Sequence, residues 1–229
     1  VSPKSKGAQM NGCNNRLAAS ASRRNRTRIS ASRARCACIT FTATGRPSSY
    51  RKLTCDFASG RSQGSTSNLP QFARAIEYLT ARLQQQGHEV RAVVAHSLAA
   101  NALAYAAARG LPVERLVLLA PPASPHAYTR LFAMVFGLSE DTRSRMQLRV
   151  EAREGILMRQ FEPAAVGPRV SLPTLIVHDR EDRINRFADA EAYRDAIAGA
   201  RLLETSGLGH TRLLKDGQVL EAVAAHLRG

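Results

Sequence analysis

A serine, an acidic cluster and a histidine stand in that chain order, each after an apolar, strand-like run. Ser97 lies between the run 90–95 and the alanine-rich run 99–105. Ala95 and Ala99, two positions to either side, are small, as a tight strand-to-helix turn requires. Such a turn lifts the serine hydroxyl clear of a sheet. It also leaves the N–H of Leu98 at a helix N-terminus, where it can bind an oxyanion. A serine in the same place could instead N-cap an ordinary surface helix. The pentapeptide alone fits both.

The partners for acyl-transfer chemistry lie downstream. Residues 173–178 read as a buried strand, apolar and β-branched and opened by proline, that empties into Asp179-Arg180-Glu181-Asp182-Arg183. Acids at the carboxyl end of a buried strand occupy the place where open α/β sheets put functional side chains. A second strand candidate at 200–204 leads into Thr205-Ser206-Gly207-Leu208-Gly209-His210, which sets His210 on a sharp loop before a final helix. A neutral serine is a poor nucleophile and needs a base within hydrogen-bond reach, with an acid to orient that base.

Residues from about 66 to 229 resemble the α/β-hydrolase fold superfamily, of the esterase, lipase and serine-aminopeptidase kind. Val94-Ala95-His96-Ser97-Leu98-Ala99-Ala100 is similar to its nucleophile elbow, where glycine usually fills the two small positions. Residues 115–122 are similar to the strand after the elbow helix, 172–182 to the acid strand, and Gly207-Leu208-Gly209-His210 to the histidine loop. The order Ser, Asp, His is that of this superfamily. The resemblance implies Ser97 as nucleophile, His210 as base, Asp182 as orienting acid and the Leu98 N–H as oxyanion donor. The family carries glycine in much of its membership at position 179, so Asp179 is expected in a turn or at the surface, and Glu181 is expected to point elsewhere. His96 is expected to pack or to bond a loop, His178 to be partly buried and hydrogen-bonded, and His88, His126 and His226 to lie at the surface. The implied function is hydrolysis of a small or medium carboxylic ester through an acyl-enzyme, with no cofactor.

The elements that must position these residues alternate in the α/β manner. A helix is expected over 69–86, with Asn68 as N-cap, Pro70 in the first turn and Gly87 as the stop. A strand to 95, a helix to 109 and a strand at 116 form a βαβ unit. Further helices are expected at 187–197 and 217–227, the last with Val219, Val223 and Leu227 on one face. The fold class is therefore α/β, a mostly parallel sheet flanked by helices. Residues 123–170 interrupt the alternation with two helical runs, where the superfamily carries its cap. Leu131, Phe132, Met134, Val135 and Phe136 are either cap core or the lining of an acyl pocket.

The first quarter of the chain differs. Twelve basic residues fall between Lys4 and Lys52, and no acid precedes Asp56, so most of the +15 net charge of the 229 residues sits there. Residues 1–52 read as a disordered arm, with 36–41 as a weak apolar stretch and the hydrolase domain running from 53 to 229. Three origins fit: a misread or degenerate N-terminus, an Arg/Ser-rich organellar transit peptide, and a nucleic-acid-binding arm, which the near absence of aromatic residues disfavours. In the superfamily this region holds a His-Gly loop that donates a second oxyanion N–H, and no His-Gly pair precedes Ser97. An inactive, truncated hydrolase-like protein, or a binding protein using its basic arm, therefore stands as the alternative. The four cysteines, Cys13, Cys36, Cys38 and Cys55, all lie in this region and show no zinc-ligand spacing. No run spans a membrane and no secretory signal is evident, which points to the cytoplasm. No metal, nucleotide or nucleic acid is expected. The expected partner is a small acyl substrate, and the oligomeric state is open.

Overall fold

Short runs of valine, leucine and isoleucine bounded by turn residues pair side by side into one sheet. The computed structural model describes residues 36–41, 53–54 and 68–229. Within these, six strands, β1 (Cys36–Phe41), β2 (Leu53–Thr54), β3 (Glu89–His96), β4 (Arg115–Leu119), β5 (Thr174–Asp179) and β6 (Arg201–Thr205), lie in the order β2-β1-β3-β4-β5-β6. All five pairings are parallel. The helices are α1 (Leu69–Gln85), α2 (Leu98–Ala108), α3 (Pro125–Val135), α4 (Glu140–Glu154), α5 (Pro163–Val166), α6 (Phe187–Ala196), α7 (Gly209–Arg212) and α8 (Gly217–Arg228). Strand order reverses once, between β1 and β3. The crevice beyond the carboxyl ends of strands at such a reversal is where open α/β sheets bind ligands.

β1 falls inside the segment read from sequence as a basic arm. It pairs with β3 from Cys36 opposite Glu89 to Phe41 opposite Ala95, with one register shift between Ala37 and Cys38. Backbone pairing with a neighbour supplies what the weak side-chain pattern of 36–41 did not signal. The rest of the arm, Cys13, Cys55 and the stretch where a His-Gly loop was sought lie outside the described residues.

The strands bury both faces, in steps of two. Val93, Leu116, Leu118 and Ile176 point to one core, which α1, α2 and α6 cover. Val94, Val117, Leu119, Leu175 and Val177 point to the other, covered by α8 through Val219 and the half-buried Val223 and Leu227. α1 opens on a reciprocal cap: Asn68 Oδ1 accepts the Gln71 N–H, and Gln71 Oε1 accepts the Asn68 N–H. α2 is buried from Ala99 to Ala107, and its alanines let it lie close against both the sheet and α1. His226 is buried, not at the surface. It lies seven residues past Val219, on the same inward stripe of α8, with Nε2 donating to the Leu116 carbonyl at 3.0 Å and Nδ1 facing Arg201.

α3, α4 and α5 form the cap between β4 and β5. Its base is fastened. The Glu154 carboxylate accepts from Asn68 and Arg74 of the α1 end, and the Phe161 and Tyr105 rings stack at 4.1 Å. Beyond α5, Gly167 touches the end of α6, where a Cβ would come within 2.6 Å of the Ala196 backbone. Gly167→Ala should therefore push α6 off the cap and cost about 1–3 kcal/mol in urea unfolding.

Candidate active site

The turn between β3 and α2 puts Ser97 in a backbone conformation that L-residues rarely adopt, with φ 58° and ψ −130°. The Ser97 N–H donates to the Leu119 carbonyl at 2.8 Å, and the Ser97 carbonyl accepts the Ala100 N–H at 2.9 Å. Ala95 and Ala99 are wholly buried against the turn. The side chain makes no capping bond to α2. Its Oγ lies 3.0 Å from His210 Nε2 instead. Leu98 supplies the first N–H of α2, which has no intrahelical acceptor.

His210 Nδ1 lies 2.7 Å from Asp182 Oδ2. The Asp182 side chain is fully buried. Burial works against its charge, but hydrogen bonds from His178, His210 and the N–H groups of Ile184 and Asn185 outweigh it and hold the carboxyl well below the usual range. Those N–H groups reach Oδ1 at 2.8 and 3.0 Å. An ionised Asp182 fixes the His210 proton on Nδ1, leaving Nε2 free to accept from Ser97.

Three histidines have separate tasks. His96 is buried and donates from Nε2 to the His210 carbonyl at 2.9 Å, so it holds the loop that carries His210. His178 is wholly buried, donates to the Asn185 carbonyl at 3.1 Å and stands 3.4 Å from Asp182 Oδ2. His126 is half-buried and bonds Gln147 at 2.9 Å. His88 is also half-buried.

Asp179 is neither exposed nor idle. It is wholly buried, and its carboxylate accepts from Thr205 Oγ1, the Leu208 N–H and the Glu181 N–H. Asp179 thereby ties the end of β5 to the loop that leads into His210. Burial raises its pKa, but these bonds and one from the Gly209 N–H bring it down overall. Glu181 points away and accepts from Ser206.

Leu131, Phe132, Met134, Val135 and Phe136 are all exposed, and only Pro125 and Ala133 of α3 are buried. They are not cap core. Tyr128 begins the same side of α3 at three- and four-residue spacing from Leu131, Phe132 and Val135, and its hydroxyl donates to Asn185 Oδ1 at 2.7 Å. Sequence reasoning passed over Tyr128 and Asn185. A polar-tipped ring in an otherwise apolar cap run, and an asparagine three residues past the acid, were the available signals. Among the described residues no cluster of three His, Cys, Asp or Glu side chains could hold a metal. Nor is any described helix long and apolar enough to cross a membrane.

A model of the serine hydrolase family matches residues 60–228. A search of curated proteins gives no match. Among solved structures, Est1E from Butyrivibrio proteoclasticus is similar at 18% identity with a TM-score of 0.61, over 84% of this chain and 89% of that one, in a structure with ferulic acid bound. A second Est1E structure gives 16% identity and a TM-score of 0.59, over 86% and 89%. A serine hydrolase involved in carbazole degradation, the CarC enzyme, gives 14% and 0.50, over 72% and 74%. The fold is the α/β-hydrolase fold.

Burial and the neighbouring His210 lower the His96 pKa from 6.5 to about 4. Between those values the unfolded chain binds a proton that the folded one refuses. Stability from this group is complete above the unfolded value and falls as pH drops through the window, by about 3 kcal/mol. His226, also lowered, acts in the same direction. Urea unfolding at pH 7 and pH 4.5 should show this loss. His96→Gln, which keeps a donor for the His210 carbonyl but does not titrate, should lose less.

Proposed function

The chain belongs to the serine hydrolase family, and from that premise we propose that it cleaves a small or medium carboxylic ester through an acyl-enzyme on Ser97. The observation that carries this reading is the continuous relay from Ser97 Oγ through His210 to Asp182, at 3.0 and 2.7 Å. His210 takes the Ser97 proton as Oγ attacks the acyl carbon. The Leu98 N–H receives the oxyanion. His210 then returns the proton to the departing alcohol, and water repeats the sequence to release the acid. A second oxyanion donor would come from the loop after β1, which lies outside the described residues.

The acyl group has a candidate wall. Leu131, Phe132, Val135 and Phe136 leave the outer side of α3 uncovered, running on from Tyr128, which bonds Asn185 beside Asp182, with the Phe132 and Phe136 rings 4.6 Å apart. An acyl chain leaving Ser97 along this stripe would cover apolar surface that the fold itself leaves open.

Release of p-nitrophenol from the acetate and butyrate esters tests the chemistry. Ser97→Ala and His210→Gln should each lower kcat by about three decades or more, and Asp182→Asn by somewhat less. Equal rates for wild type and Ser97→Ala would leave the inactive, hydrolase-like reading standing. Phe132→Ala should lower the preference for butyrate over acetate about tenfold, the worth of lost contact with a methylene or two. An unchanged ratio would remove α3 from the acyl site.

A further inference from the structure

Ser97 follows the carboxyl end of β3, and the sheet is parallel, so the amino ends of the strands form the opposite edge. That edge carries two arginines where strand alternation leads back from apolar side chains. Arg115 opens β4, two positions before Val117 and four before Leu119, which both point into the core under α8. Arg201 opens β6 opposite Leu175, two positions before Leu203, which packs on the same core. Both arginines therefore belong to the face that α8 covers. They line one groove of about 370 Å³ together with His226, Gly199 and Gly229. Arg115 Nη2 comes within 3.8 Å of the place where a Cβ at Gly229 would stand, so its guanidinium reaches the end of α8.

His226 decides how Arg201 is held. Its ring is buried, and Nε2 donates to the Leu116 carbonyl at 3.0 Å, so the hydrogen sits there and Nδ1 is a bare acceptor. Arg201 Nη2 donates to Nδ1 at 3.3 Å. Burial, and then the charges of Arg201 and Arg115, hold the His226 pKa below its ordinary value, so the ring is neutral at pH 7. A neutral acceptor orients one N–H of Arg201 and cancels none of its charge. The other N–H groups of that guanidinium, and all of those of Arg115, have no hydrogen-bond or ion-pair partner among the described residues. Glu114, the acid next to Arg115 in sequence, pairs with Arg91 at 2.8 Å, and no side chain lining the groove is acidic. The carboxyl end of α8 brings about half a negative charge to set against two full positive ones. The groove is left with a net positive field that no described residue relieves.

We propose that this groove binds a phosphate group, free or carried on a small molecule, between the guanidinium groups of Arg115 and Arg201. A phosphate monoester carries close to two negative charges at neutral pH and matches both arginines, whereas a monocarboxylate would match one. Each planar fork can give two parallel N–H bonds to the oxygens of one tetrahedral group. The volume exceeds that of the phosphate alone and leaves room for an organic remainder beside Gly199, where an added Cβ would meet nothing within 4 Å. The site lies at the other edge of the sheet from Ser97 and does not rest on the serine chemistry.

The test titrates the whole chain with inorganic phosphate and with glycerol 3-phosphate, by calorimetry at fixed ionic strength. Fixed salt matters because the twelve basic residues between Lys4 and Lys52 also attract anions. The wild type should show a saturable site that takes one phosphate group per chain. Arg115→Gln and Arg201→Gln should each weaken it about tenfold, the loss of one charge-assisted pair. Arg149→Gln, which removes an exposed charge from α4 instead, should change it less than about twofold. Arg201→Lys keeps the charge without the fork and should bind at least about threefold more weakly. It decides the matter should Arg201→Gln fail to fold by circular dichroism. Tighter binding of glycerol 3-phosphate than of inorganic phosphate would assign the groove to an organic phosphate, and equal binding to the free ion. A wild type without a saturable site, or a loss in Arg149→Gln as large as in Arg201→Gln, would overturn the proposal.

Discussion

The strained backbone at Ser97 is the constraint on which the rest of the structure depends. A left-handed φ at a non-glycine residue costs on the order of 1–3 kcal/mol and persists only where its surroundings leave no alternative. Here β3 and β4 pin the turn from below through the Leu119 carbonyl, and α2 pins it from above through the Ala100 N–H. Ala95 and Ala99 flank the turn and are wholly buried, so a larger side chain at either would have to displace packed neighbours. The alanine content of α2 has the same cause. The helix that starts at the elbow must lie close to both the sheet and α1, and small side chains permit the approach.

A second constraint is the placing of His210, whose ring must face Ser97 and Asp182 together. Its loop is held at separate points. His96 bonds the His210 carbonyl, Asp179 bonds the Leu208 N–H, and Asp182 bonds the ring. The two aspartates sit three residues apart at the end of one strand, yet their environments divide the work. Asp179 spends its oxygens on backbone and Thr205, whereas Asp182 keeps Oδ2 for the two histidines. Both are ionised despite burial because each is supplied with several donors. A buried carboxylate with fewer partners would take up a proton and cease to orient the imidazole.

Most of the frame was legible in the sequence because it is written in local terms. Asn68, Pro70 and Gly87 bracket α1 as capping chemistry requires, and the runs at 90–95, 115–122 and 173–178 each hold a strand. Ser97 and His210, placed by their settings after strand-like runs, and Asp182, picked out of its acidic cluster by the superfamily resemblance, meet in space although 85 and 28 positions separate them along the chain. The misreadings share one cause: partners that only the tertiary fold supplies. β1 gains its hydrogen bonds from β3, a strand nearly fifty residues on. Asp179 and His226 gained polar partners from β6 and from the start of β4, so neither had to reach the surface. Tyr128 and Asn185 are 57 positions apart, and nothing local links a cap aromatic to an acid loop.

The cap combines a fixed base with an open flank, and the two features have opposite physical consequences. Where Glu154 meets Asn68 and Arg74, and Phe161 stacks on Tyr105, polar and apolar contacts join the cap to α1 and α2. Asn101 reinforces this join by donating to the Pro122 and Phe161 carbonyls from within α2. The outer stripe of α3 has no such engagement: Phe132 and Phe136 touch each other and otherwise face outward. Changes at the base would be felt at the elbow, because α2 begins at Ser97. Changes on the stripe would leave the elbow untouched. A fold arranged in this way can alter what it accepts without altering how it reacts. The strained backbone at Ser97 and Ala120 and the buried acids Asp179 and Asp182 belong to the sheet and its loops, and the exposed stripe of α3 left for recognition carries neither strain nor buried charge.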